Sequence, residues 1–301
     1  MTEDEQAIKT RCGHVALVGR PNVGKSTLLN HLLRQKIAIT SRKPQTTRRL
    51  MLGVDTQGVD QAVYVDTPGI HGHADREMNR YMVRSATSIL NDVDLIVMIV
   101  EQERWTSEDE LVCSHVKRAE VASLAVINKI DLMRHKTALL PVIDKLGKLN
   151  LFDAILPVSA LKREGVEALR EEVFQRLPWQ RHLFPADQIT DQPERVLVAE
   201  IVREKLMRRL GDEIPHRAAV VIETYHEDAE LVEITADIYV ERAGQKRIVI
   251  GKNGEKLKLI GQEAREDIER LLDRKVMLRL WVKVKPGWTN NPGALKRMGY
   301  D

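Results

Sequence analysis

Residues 19–26 read GRPNVGKS, two glycines, a lysine and a serine at the spacing GxxxxGK[ST]. After an apolar run and before a helical pattern, such a stretch curls backbone amides around phosphate oxygens. Gly19 and Gly24 permit the close approach, Lys25 sets a cation against the β and γ phosphates, and the Ser26 hydroxyl can ligate Mg²⁺. Arg20, Pro21, Asn22, Val23 and Thr27 belong to the same loop. DTPG at 66–69 follows another apolar run, so Asp66 can hold Mg²⁺ through water and the Gly69 amide can sense a γ-phosphate, with Thr67, Pro68 and Ile70 alongside. The polar stretch TSRKPQTTR at 40–48 carries paired threonines suited to ordering around phosphate and metal. Thr47 is the expected metal ligand and Thr46 its close rival, because sequence supplies no geometry to separate them. Lys25, Thr47 and Gly69 are the expected catalytic group.

NKID at 128–131 addresses the base. A carboxylate at Asp131 accepts from guanine N1–H and the exocyclic amine together, donors that adenine lacks there. Asn128 can bond the other purine edge, the Lys129 stem can cover the ring, and Ser159 with Ala160 supplies a loop to close over O6. Guanine rather than adenine nucleotides, GTP and GDP, are the expected ligands. Switch GTPases often place a Gln after the DxxG glycine to orient the attacking water, and here that position is Ile70. Without it, and with no evident arginine finger in cis, turnover is expected at about 10⁻⁴ to 10⁻² s⁻¹, as in unassisted GTPases. By analogy with a subset of related GTPases, Asn22 implies K⁺ beside the phosphates. His71 and His73, flanking Gly72, are expected as solvated residues of a switch loop.

These motifs need a scaffold that brings strand ends together. Apolar strand candidates at 15–19, 62–66, 94–100 and 123–128 alternate with helical patterns at 25–33, 75–90, 107–117, 137–148 and 166–176, the signature of a mostly parallel sheet. Segments 51–55 and 62–66, joined through Gly58, predict an antiparallel hairpin at one edge. A Pro-punctuated stretch around 178–193 predicts a linker to a second domain. That domain is expected to open with a helix at 194–210, followed by strands at 217–225 and 231–240, GKNG at 251–254, a helix at 255–272 and a strictly alternating strand at 276–285. The expected division is a tail 1–13, a GTPase domain 14–180, a linker 181–193, an RNA-binding domain 194–286 and a tail 287–301.

Composition sets the bounds. At 301 residues, with 43% hydrophobic and 30% charged residues, the chain can bury two cores, while 4% aromatics make aromatic base-stacking platforms a poor expectation. No apolar run reaches the roughly 18 residues of a membrane span, so a cytoplasmic protein is expected. Cys12 and Cys113 lack metal-ligand spacing and read as reduced structural thiols. The net charge of +3 hides a polarised third: 212–241 holds one Arg against nine acids, net −8, and 242–285 holds thirteen Lys/Arg against six acids, net +7. That basic stretch is where a polyanion would dock. Within it GKNG is surrounded by Lys246, Arg247, Lys256 and Lys258. Gly251 and Gly254 let a nucleic-acid backbone approach, while Lys252 and the amides at Asn253 and its neighbours meet phosphate, as in the gripping loop of a KH domain.

Taken together, GRPNVGKSTLLN, QTTR, YVDTPGIH, NKID, AEIVREKLMRRLGDEIPH and VIGKNG resemble the Era family of bacterial ribosome-assembly GTPases over nearly the whole chain. The resemblance implies an α/β, Ras-like P-loop domain followed by a smaller α+β type II KH domain, and turns 247–250, which by composition reads as strand, into a short helix. It also implies binding of the 3′ end of 16S rRNA and the 30S subunit, ribosomal proteins as further partners, a monomer, and weak peripheral contact with the inner face of the plasma membrane. His216 stands where the family has Tyr, and HGHADREM lacks the usual Pro and Leu. Two alternatives stay open: an adaptor whose C-terminal domain docks a protein, and a GTPase of the tRNA-modification kind, although no catalytic Cys motif accompanies the second.

Overall fold

The computed structural model describes residues 10–300 apart from 42, 44, 45, 72–76, 103, 104, 212, 213, 215 and 216. The chain divides into two compact units: Met1–Ala38, Thr47–Ala74 and Tyr81–Asp191 form the first, and Ile39–Thr46, Asp75–Arg80 and Gln192–Asp301 the second.

The first unit is built on a six-stranded sheet of β1 (Cys12–Val18), β2 (Met51–Gln57), β3 (Asp60–Asp66), β4 (Leu95–Glu101), β5 (Ser123–Asn128) and β6 (Ala154–Pro157), ordered β2-β3-β1-β4-β5-β6. β2 pairs antiparallel with β3, the expected edge hairpin, and every other pairing is parallel. The central strands are apolar at nearly every position because both faces are covered, as a parallel sheet requires. α1 (Lys25–Leu32) and α5 (Val166–Arg176) pack together and against β3. α2 (Glu77–Ser88), α3 (Ser107–Ala119) and α4 (Leu140–Lys148) join a second core through Ala86, Val112, Val116 and Leu146. The stretch expected as linker is pinned to this unit as far as Asp191: Val54 N–H donates to Ile189 O at 2.8 Å, and Thr190 Oγ1 to Leu52 O at 2.7 Å. The expected N-terminal tail already contains the start of β1 at Cys12, and its first nine residues lie outside the described ones.

In the second unit α6 (Glu194–Arg209), β7 (Ala218–Glu227), β8 (Leu231–Val240), α7 (Ala243–Ile250), α8 (Glu255–Leu272) and β9 (Lys275–Val284) run in the order helix, two strands, two helices, strand. The sheet order is β7-β8-β9, with β7 antiparallel and β9 parallel to β8. One sheet face packs on α6 and α8 through Val232, Ile234, Ile238, Val202, Ile260 and Ile268. Residues 247–250 are helical, as the family resemblance implies. The expected tail after 286 is folded: Trp288 is fully buried, its indole N–H donates to Arg217 O, its ring stacks on Tyr300 at 6.3 Å, and α9 (Pro292–Arg297) follows. Segment Ile39–Thr46 is held within this unit by α6, where the buried Glu204 accepts from Thr40 N–H at 2.9 Å and Arg203 donates to Thr46 O.

Candidate nucleotide and nucleic-acid sites

The parallel strands of the first unit all point one way, so their carboxyl ends collect the motifs at one rim, where ligands of open α/β sheets sit. β1 ends at Val18 and α1 starts at Lys25, leaving 19–24 as the turn. Gly24 occupies φ 104°, and a Cβ there would lie 2.3 Å from Asn128 Nδ2, so only glycine fits. Lys25 is 6% exposed and donates to the carbonyls of Gly19 and Arg20, both at 3.0 Å. Burial draws its ammonium down to about 8 against the opposing pull of Asp66. Gly69 backs onto this turn so tightly that a Cβ would meet Pro21 N at 2.7 Å.

Ser26, Thr47 and Asp66 converge. Ser26 Oγ lies 2.8 Å from Asp66 Oδ2 and 2.7 Å from Thr47 Oγ1, which is itself 3.1 Å from the same carboxylate oxygen. Asp66 is fully buried, and burial pushes its carboxyl up while Lys25 and the two hydroxyls pull it down. Its other oxygen, Oδ1, is buried with no hydrogen-bond partner. A dry carboxylate oxygen beside two hydroxyls is an all-oxygen donor set, and it fits a hard divalent cation that takes its remaining ligands from phosphate and water. Thr46 points elsewhere, donating to Lys43 O at 2.8 Å. Gln45 and His73 lie outside the described residues, and His71, expected to be solvated, is 5% exposed.

On the base side, Asp131 Oδ1 accepts from Ser159 Oγ at 2.5 Å, which joins the NKID carboxylate to the 159–160 loop. Asn128 does more than the expected contact with a purine edge. Its amide donates to Val23 O at 2.7 Å and its carbonyl accepts from Ala160 N–H at 2.9 Å, so it staples the phosphate turn to the base loop while its amide keeps a second N–H to donate. Three further nucleotide-site candidates are fully buried. Thr67 Oγ1 donates to Leu17 O at 2.8 Å, and Val23 and Ile70 are buried, with Ile70 N–H donating to Gly19 O at 3.2 Å. Arg20 is spoken for by Glu101 and by Asp109 at 3.2 Å. Glu101 also takes Lys129 Nζ at 3.0 Å. Although burial pushes the Glu101 carboxyl up, Lys129 and Arg20 outweigh it and hold it below the usual range.

In the second unit the GKNG turn joins α7 to α8, with Asn253 left-handed at φ 51° and Lys252, Asn253, Lys256 and Lys258 exposed. Beside it lies a groove of about 540 Å³ between α8 and β9. Of the expected RNA-binding residues only Gly254 and Lys258 line it; Leu257, Gly261, Gln262 and Arg265 of α8 and Leu278 and Leu280 of β9 complete it. Arg247 is exposed and Lys246 half-buried on α7, outside this lining.

Residues 14–129 match the family model of the 50S ribosome-binding GTPase, and residues 213–289 that of the KH domain. GTPase Era of Ectopseudomonas mendocina is 53% identical over 97% of each chain, and that of Pseudomonas aeruginosa is 50% identical over 99% of this chain and 97% of its own. The chain belongs to the Era family of GTPases. Two solved Era structures align with it. A single-residue variant from Aquifex aeolicus bound to GDP and AlF4⁻ has a TM-score of 0.93 at 40% identity, covering 96% of this chain and 99% of that one. A complex with MgGDPNP and nucleotides 1506–1542 of 16S rRNA has a TM-score of 0.94 at 39% identity, covering 97% and 99%.

As an Era-family protein the chain is a GTPase, and its site includes residues that motif reading passed over. Glu101 and Asp109 sit in no motif; their only sequence signal is position, one at a strand end and one three residues after the helix-capping Thr106. The groove residues did leave a trace, since 257, 261 and 265 recur every four residues on one face of α8.

Proposed function

We propose that this Era-family GTPase is a slow, guanine-nucleotide-driven switch that binds the 3′ end of 16S rRNA and serves maturation of the 30S subunit. The observation that carries the reading is one chain holding both the Ser26–Thr47–Asp66 cluster at a phosphate turn and a basic GKNG turn beside a groove. The relative solved with MgGDPNP and rRNA supports it. Residues 19–27 and 66–70 take the phosphates, Asp131 with Ser159 and Ala160 the guanine, and Lys252 with its neighbours the RNA backbone. Ser26, Thr47 and Asp66 would hold Mg²⁺, which would supply neutralisation of the charge on the phosphates. Lys25 offers its ammonium to the same oxygens, and the Gly69 amide follows the γ-phosphate.

Slow turnover follows from two side chains. Ile70 is buried, so no group there orients water, and Arg20 is tied to Glu101 and Asp109 rather than free to act as a finger. K⁺ beside Asn22 belongs to this reading: hydrolysis should run several-fold faster in KCl than in NaCl at equal ionic strength, and Asn22→Ala should remove the difference. The protein acts in the cytoplasm as a monomer, with ribosomal proteins as further partners and weak contact with the inner face of the plasma membrane. Among the described residues no helix is long and apolar enough to cross a membrane.

The deciding experiment is equilibrium binding of a short single-stranded RNA matching the small-subunit 3′ end to GDP-loaded and GTP-analogue-loaded protein over a salt series. Tighter, salt-sensitive binding in the analogue state is expected, lost in Lys252→Asp/Asn253→Asp with GTPase activity intact. No RNA binding in either state would leave a GTPase whose second domain does something else.

A further inference from the structure

β9 presents two faces of different chemistry. Successive strand residues point to opposite sides, and on the helix side Leu278 and Leu280 floor the groove beside GKNG. On the other side stand Met277, Arg279, Trp281 and Lys283, all exposed, with Trp281 60% exposed in mid-strand. A large aromatic ring left this open on a strand is unusual unless something covers it. The sheet order ends at β9, so among the described residues the groove and the outer face meet along a strand edge that no further strand pairs with.

The surroundings select the partner. Arg279 and Lys283 flank the indole two residues to either side, and Lys275 is exposed on the same face. Both cations are already paired with acids of β8 on this face. Asp237, opposite Trp281, is 1% exposed beneath Lys283 and the Tyr239 hydroxyl, and Glu233 lies 3.9 Å from Arg279. An open ring flanked by solvent-exposed ion pairs, whose cations can exchange a carboxylate for a phosphate, suits single-stranded nucleic acid, base on the ring and phosphate on the cations. A KH groove grips only about four nucleotides, so a longer strand must leave it.

We propose that Trp281, with Arg279 and Lys283, forms a second nucleotide subsite, on which a base of the RNA held at GKNG stacks once the strand has crossed the β9 edge. The proposal rests on the groove reading given above. The subsite takes any base, because stacking on an indole is indifferent to sequence.

The test uses the full chain loaded with a nonhydrolysable GTP analogue and 5′-fluorescein oligoribonucleotides of four and ten nucleotides from the small-subunit 3′ end, read by anisotropy. Trp281→Ala should weaken the ten-mer about tenfold and leave the four-mer within about twofold, and Trp281→Phe should restore most of the loss. Arg279→Ala/Lys283→Ala should lower the salt slope for the ten-mer by about 1.4. Unchanged ten-mer binding by Trp281→Ala overturns the subsite. Equal loss on both oligonucleotides also overturns it, since the indole would then support the groove and not the strand. Wild-type protein that binds neither oligonucleotide overturns the groove reading, and the subsite with it, before any variant is made.

Discussion

Thr47 contributes a hydroxyl to a cluster whose only charge is Asp66, so its removal should act on the metal while leaving the base untouched. Thr47→Ala is expected to raise the Mg²⁺ concentration needed for half-maximal GTP hydrolysis about tenfold, whereas Thr46→Ala, which loses a bond to its own loop, should leave it within about twofold. A Mg²⁺ titration of single-turnover hydrolysis measures both, and equal effects would contradict the geometry. Residue types and spacings had already pointed to Lys25, Ser26, Asp66 and Asp131, because those roles demand one chemistry each. They were blind to the choice between two adjacent threonines, which depends on loop direction. They named Asn128 for the base but not its bonds to main-chain groups of Val23 and Ala160, far away in sequence.

At the scale of elements, the edge strand β2 is fastened to α5 by one buried ion pair. Arg170 and Asp55 are 5% and 6% exposed, and Arg170 Nε donates to Asp55 Oδ2 at 2.6 Å with a second bond beside it. Cutting one partner strands a buried charge, so Asp55→Ala should destabilise the first unit by about 3–5 kcal/mol. Asp55→Leu/Arg170→Met, which removes both charges, should recover most of that, as urea melts of the three proteins would show. Periodicity placed most helices and strands to within a few residues, since apolar spacing records which face is covered. It could not show that 181–191 lies along the sheet edge, because that stretch is held by main-chain bonds such as Ile189 O to Val54 N–H, for which any residue serves. Nor could it show that Trp288 anchors a folded end, since one buried aromatic makes no period.

For the molecule as a whole, charge is segregated rather than abundant: +7 along 242–285 against −8 along 212–241 leaves the net near neutral. Attraction for RNA should therefore come from a few exposed lysines and fade with salt. Replacing Lys252, Lys256 and Lys258 by Ala one at a time should each flatten the plot of log affinity against log salt by about 0.7, with GTP hydrolysis unchanged; a slope that ignores all three would place the polyanion elsewhere. The parallel pairing of β9 with β8 carries a consequence in time. Every strand of the nucleotide-binding sheet has been made once residue 157 is synthesised, and its edge is sealed by residue 191. The groove beside GKNG has no floor until Leu278 and Leu280 are in place. Domains fold as units while the chain emerges, so a nascent copy completes its nucleotide site long before the groove beside GKNG exists, and on the reading proposed above a ribosome that stalls between those points holds a switch with nothing yet to switch.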